Sequence, residues 1–188
     1  MSKSIRIMVA LTCSLLVVLA IFFFSDQSGG ESHAKSGKVA EKLAKIIEAS
    51  SGNYYSEKEL HRLEKALDYP VRKVAHFLIY YCLGFVTYIS ILFVQKWKRN
   101  HRYVLFSLLL VLIVAIADET HQLFIAGRGA SVSDVMIDCF GGLLGVYSYY
   151  IFTDFFRRVI NLFKKKETTD DENSANGNEE GSFQRRRY

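Results

Sequence analysis

The stretch D-E-T-H-Q-L-F-I-A-G-R-G-A-S-V-S-D-V-M-I-D-C-F-G-G-L-L-G, from Asp118 to Gly145, decides how this chain is read. An uncharged run, Tyr103–Ala117, leads directly into Asp118, Glu119, His121 and Gln122. The chain then turns through Gly127-Arg128-Gly129 and re-enters an apolar segment carrying Asp134 and Asp138. An acid at the centre of a bilayer costs on the order of 2.5–3.5 kcal/mol. Acids set beside membrane-length apolar runs therefore mark a functional site by default.

The rest of the chain supports the membrane reading. Half of the 188 residues are hydrophobic, and the formal charge is +5. The apolar residues come in blocks of about 20, the length that crosses about 30 Å of hydrocarbon as a helix. The basic balance is thus a matter of topology, and no zinc-finger spacing or aromatic-basic motif points to nucleic acid. Cys13, Cys82 and Cys139 lie in three different apolar blocks and read as small apolar residues, without a disulfide framework or metal spacing.

The first span is Ile5 to Phe24, with Lys3 and Arg6 at its N-terminal end. Its core exceeds a signal peptide's about 7–15 apolar residues and no Ala-x-Ala follows, so it is expected to stay uncleaved. A polar segment, 25–69, follows. Val39, Leu43, Ile46 and Ile47 share one helical face, and Leu60, Leu63 and Leu67 share another. Ser56 and Glu59 have capping-box spacing. These patterns predict short amphipathic helices lying on the outer membrane surface, or else a solvated loop with helical turns. Pro70 is placed in the first turn of span two, roughly Val71 to Val94. Span three is about Tyr103 to Ile125, and span four about Ser133 to Thr153.

Residues 95–102, Q-K-W-K-R-N-H-R, hold four basic residues and no acid, and Arg157, Arg158 and Lys164-Lys165-Lys166 follow the last span. By the positive-inside rule these sides are cytoplasmic. The expectation is an all-α polytopic bundle of four transmembrane helices in the cell membrane, with both termini inside. It divides into 1–24 (first span), 25–69 (extracytoplasmic segment), 70–154 (core of spans two to four) and 155–188 (a basic, then disordered tail).

That topology brings the unusual polar residues to one depth on the outer side. Lys73, His76, Tyr80 and Gly84 share a face of span two, Glu119 and Gln122 a face of span three. Asp134, Asp138, Gly141 and Gly145 form one stripe of span four. Gly141-x-x-x-Gly145 permits close helix approach, which takes both acids inward, or else serves a homo-oligomer. Arg128, between two glycines, can pair with the acids or present its fork to a phosphate or carboxylate.

Three blocks carry a resemblance: K-V-A-H-F-L-I-Y-Y-C-L-G (Lys73 to Gly84), D-E-T-H-Q-L-F-I-A-G-R (Asp118 to Arg128) and S-D-V-M-I-D-C-F-G-G-L-L-G (Ser133 to Gly145). With S-D-Q-S-G-G-E-S after span one, they resemble the VanZ-like family across about residues 20–150. That family's pattern is roughly K-x-x-H-F-x-x-Y-x-x-x-G, D-E-x-x-Q-x-F-x-x-x-R and D-x-x-x-N-x-x-G-x-x-x-G. Asp138 departs from it by standing where asparagine is usual, and Ala126 by standing where proline is common. The family is named for a membrane protein linked to low-level teicoplanin resistance. The resemblance implies a role at the outer leaflet or cell wall and supplies no reaction.

Three readings follow. In the first, Lys73, His76 and Arg128 bind the anionic head of a membrane lipid or lipid-linked wall precursor, while Tyr80, Asp118, Glu119, Gln122, Asp134 and Asp138 complete the site. In the second, the site is an intramembrane hydrolase or transferase for polar lipids, with Glu119 as base, His76 as acid or relay and Arg128 stabilising negative charge. A divalent metal among these acids and histidines belongs to this reading, but H-E-x-x-H or a comparable pair is missing, so no metal or cofactor is assigned. In the third, the acids pair with Arg72, Lys73 and Arg128 only to fix helix register.

Overall fold

The computed structural model describes residues 1–52, 54–98, 100–149, 151–153, 155, 158 and 161. The chain is all-α among these residues: α1 is Lys3–Ser25, α2 Gly29–Ser51, α3 Glu57–Val94, α4 His101–Gln122 and α5 Val132–Thr153. Four of them, all but α2, are long and apolar enough to cross a membrane. Residues 1–148 pack as one unit. Arg157, Lys164-Lys165-Lys166 and the predicted disordered tail lie outside the described residues.

Local signals set most boundaries. Ser28 caps α2 and Ser56 caps α3, each in a complete capping box with Glu31 and Glu59. Each box satisfies two backbone donors that the first turn would otherwise leave unpaired. Gly52, at φ 67°, ends α2 in the left-handed region.

Two expectations are corrected. Pro70 does not begin span two; it lies inside one continuous 38-residue helix, α3. The Ala66 carbonyl receives no bond from residue 70, a loss of about 3 kcal/mol in an isolated helix. Here the packing of α1 and α2 along α3, with Asp68 held by Ser36 and His33 just before Pro70, carries the helix through. Span three stops at Gln122, not Ile125, because the chain tightens there: Leu123, Phe124 and Ile125 donate to the carbonyls of Thr120, His121 and Gln122.

The helices close on a small core of Ile21, Tyr80, Leu83, Val111, Val114 and Ala115, from α1, α3 and α4. Around it, large apolar side chains such as Leu15, Leu19, Leu109 and Ile113 stay exposed, as expected of faces turned to hydrocarbon. In α2 the sides are reversed from simple amphipathicity. Gly29, Ser36, Ala40 and Ala44 are the buried residues, and α2 packs on α3. Val39, Leu43, Ile46 and Ile47 do share a face, but it is an exposed one. Small residues let two helix backbones approach; the large ones are left to cover a surface outside the chain.

Glycine governs the contact of α5 with α3. A Cβ on Gly84 would strike the Gly142 carbonyl, one on Gly141 the Phe77 carbonyl, and one on Gly145 the Tyr81 carbonyl. The Gly141–Gly145 stripe is therefore used within the chain, against α3. This crossing fixes the rotation of α5 and turns Asp138, one turn before Gly141, into the bundle.

Candidate functional site

Asp138 is 1 % exposed and Asp118 is fully buried. Both face His76 of α3: one donor atom from each of the three lies within 4.8 Å of the others. The His76 Nδ1 stands 4.0 Å from Asp138 Oδ1, beyond hydrogen-bond length. Gln122 Nε2 donates to Asp118 Oδ2 at 3.2 Å, an i,i+4 contact along α4. The Tyr80 hydroxyl is buried beside Asp118 and has no other hydrogen-bond partner among the described residues.

The remaining polar residues have separate duties. Lys73 forms an ion pair with Asp134, joining α3 to α5. Glu119, 4 % exposed, accepts a 2.8 Å bond from the Ser131 backbone N–H at the entry to α5. His121 turns the other way, its Nε2 3.4 Å from Asp26 and its ring edge-on to Phe22.

Arg128 is the keystone of the turn. Its Nη1 donates to the Ser25 carbonyl at 3.2 Å and its Nη2 to Ser32 Oγ at 3.0 Å. Gly29 N–H donates to the Ala126 carbonyl at 3.0 Å, and a Cβ on Gly29 would strike the Gly127 carbonyl. These contacts pin the turn, so the absence of proline at Ala126 does not leave it loose. Burial holds the Arg128 guanidinium below its ordinary pKa, with Asp118 acting the other way. It remains a cation, as guanidinium does in proteins.

Beside this cluster lies a cavity of about 460 Å³. Its lining combines the cationic and polar residues Lys35, Arg72, His76 and Arg128 with apolar ones such as Phe24, Leu78, Ile79 and Cys82. The Nε of Arg72 is buried and has no hydrogen-bond partner among the described residues, while its Nη2 stands 4.0 Å from Asp68 on the same helix. Of the residues expected from sequence, only His76 and Arg128 line this cavity. Lys35 and Arg72 were not expected as ligand-binding residues. Helical phase carried the signal for Arg72: Arg72, Ala75, Ile79 and Cys82 run at spacings of three and four and share a face. Lys73, a step of about 100° further round, faces Asp134 instead. Lys35 sits in a polar helix whose sequence gives no such signal.

The chain matches the VanZ/LLP1 family over residues 10–153. It belongs to that family. None of the curated proteins and none of the solved structures matches it. The resemblance carried by the three sequence blocks agrees with this membership. In this VanZ/LLP1 protein, one residue from each block (His76, Asp118 and Asp138) meets at a single buried point.

Proposed function

We propose that this VanZ/LLP1 protein binds the anionic head of a membrane lipid or lipid-linked cell-envelope precursor in the cavity between α1, α2 and α3. The observation that carries the reading is one cavity lined both by Lys35, Arg72 and Arg128 and by apolar side chains. An anionic headgroup would accept from Arg72 Nε, whose N–H lacks a partner among the described residues, and from the lysine and arginine around it. An acyl or isoprenoid chain would lie along Leu78, Ile79 and Cys82. The exposed row Val39, Leu43, Ile46 and Ile47 would seat α2 in the headgroup region beside it.

The basic 95–102 segment places the α3–α4 connection in the cytoplasm on this reading. The site then faces the extracytoplasmic side of the cell membrane. A changed response to teicoplanin follows if the bound species is a wall precursor. Asp134 supports the site indirectly, by holding Lys73, and Glu119 by anchoring the chain at Ser131. Glu119 does not line the cavity, which favours binding over an acid–base reaction run from that residue.

Native mass spectrometry of the full chain extracted in mild detergent tests this. An anionic lipid should co-purify with the wild type and be lost from Arg72→Gln at matched folded protein. Equal retention by both would refute the reading. Lipid profiling of cells with and without the protein gives a further outcome. A species whose mass changes with the wild type but not with Glu119→Gln would replace binding with turnover.

A further inference from the structure

Asp118 and Asp138 are the two most buried acids described; among the described residues no lysine or arginine pairs with either, and His76 Nδ1 stands 4.0 Å from Asp138. Both oxygens of Asp138 and Oδ1 of Asp118 lack a hydrogen-bond partner among the described residues. The neighbouring cations are engaged elsewhere: Lys73 with Asp134, and Arg128 with the Ser25 carbonyl and Ser32. A buried carboxylate without partners carries a desolvation penalty of several kcal/mol, and two side by side repel one another. The third member of the group is His76, a donor through nitrogen.

We propose that His76, Asp118 and Asp138 bind one divalent metal ion, of the Mn²⁺ or Zn²⁺ kind. A doubly charged cation balances two carboxylates and occupies the lone pairs now unused. One imidazole and two carboxylates are a donor set suited to these ions, harder than a thiolate site and softer than an all-oxygen one. The dimensions are close. An ion ligated at about 2.1 Å spans at most about 4.2 Å between opposite donors, against a spread within 4.8 Å here. Small side-chain rotations close the gap. Supporting contacts are in place as well: Gln122 holds the second oxygen of Asp118, and the Tyr80 hydroxyl stands beside it. Such outer partners fix the orientation of metal ligands. His76 also lines the cavity, so the ion would sit at its wall. The inference does not depend on what the cavity binds.

The sequence could not show this site. The three donors come from three helices and have no local spacing, so the absence of H-E-x-x-H was no evidence against it.

The test uses the full chain in detergent, stripped with chelator and dialysed against MnCl₂ or ZnCl₂ alone. Metal analysis should find one ion per chain in the wild type. Asp138→Asn and His76→Gln should weaken binding by at least about tenfold, while Glu41→Gln leaves it unchanged. Electron spin-echo spectroscopy of the Mn²⁺-loaded wild type should show coupling to an imidazole ¹⁴N that His76→Gln abolishes. The spectrum decides the matter even if Asp138→Asn fails to fold. Absence of a retained ion in the wild type, binding unaffected by both variants, or no nitrogen coupling would each overturn the proposal.

Discussion

Gly145→Ala tests the crossing that positions Asp138. The added Cβ meets the Tyr81 carbonyl and also the Phe85 backbone nitrogen. Both are main-chain atoms of α3, so no rotamer change relieves the clash, and the helices must separate. Overpacking costs about 1–3 kcal/mol, and a rigid backbone neighbour puts this case near 3. The control is Gly37→Ala, in the interior of α2, where a Cβ meets nothing within 4 Å. Both substitutions gain about 0.8–1 kcal/mol of helix propensity, so their difference isolates the crossing. On the scale of soluble chains of this size, about 3 kcal/mol is roughly 6–12 °C in Tm. Thermal unfolding in one detergent, followed by circular dichroism, should show Gly37→Ala at or above the wild type and Gly145→Ala well below it. Equal melting of the two variants would refute the close α3–α5 contact, and with it the reason Asp138 faces His76.

Arg128→Lys keeps the charge but cannot reach both the Ser25 carbonyl and Ser32, so one charged hydrogen bond is lost, about 1.5–3 kcal/mol; hydrogen exchange should rise across residues 123–130, and an unchanged rate would contradict the pinning of the turn. Lys73→Met, Asp134→Asn and the double variant should show a coupling of about 1–2 kcal/mol in thermal stability, since both side chains are largely buried; additive losses would mean that the pair contributes nothing. Glu31 titrates below its ordinary value of 4.5, because its carboxylate accepts the Ser28 backbone and hydroxyl bonds. A depressed carboxyl stabilises above its unfolded pKa and loses that contribution as pH falls through the folded one. Protection at the start of α2 should therefore fade on acidification below about pH 4.5, and less so in Glu31→Gln, which has no charge to lose.

The sequence by itself determined the class of protein. Four apolar runs of membrane length can only be helices in hydrocarbon, because every backbone polar group must be satisfied within the segment. The glycine stripe and the acids on α5 were legible for a related reason. Helical period fixes which residues share a face, so Asp138 had to follow Gly141 and Gly145 to whatever they packed against. What period cannot give is the partner of each face. Lys73 and Arg72 are adjacent in sequence, and only the packing of α2 and α5 on different faces of α3 sends one to Asp134 and the other to the cavity. Continuity through Pro70 was hidden similarly, since proline's local cost is outweighed by contacts along the whole helix. The meeting of His76, Asp118 and Asp138 is likewise tertiary: three helices supply one residue each, and the close approach of Gly141 to the Phe77 carbonyl brings α5 up to α3 beside His76.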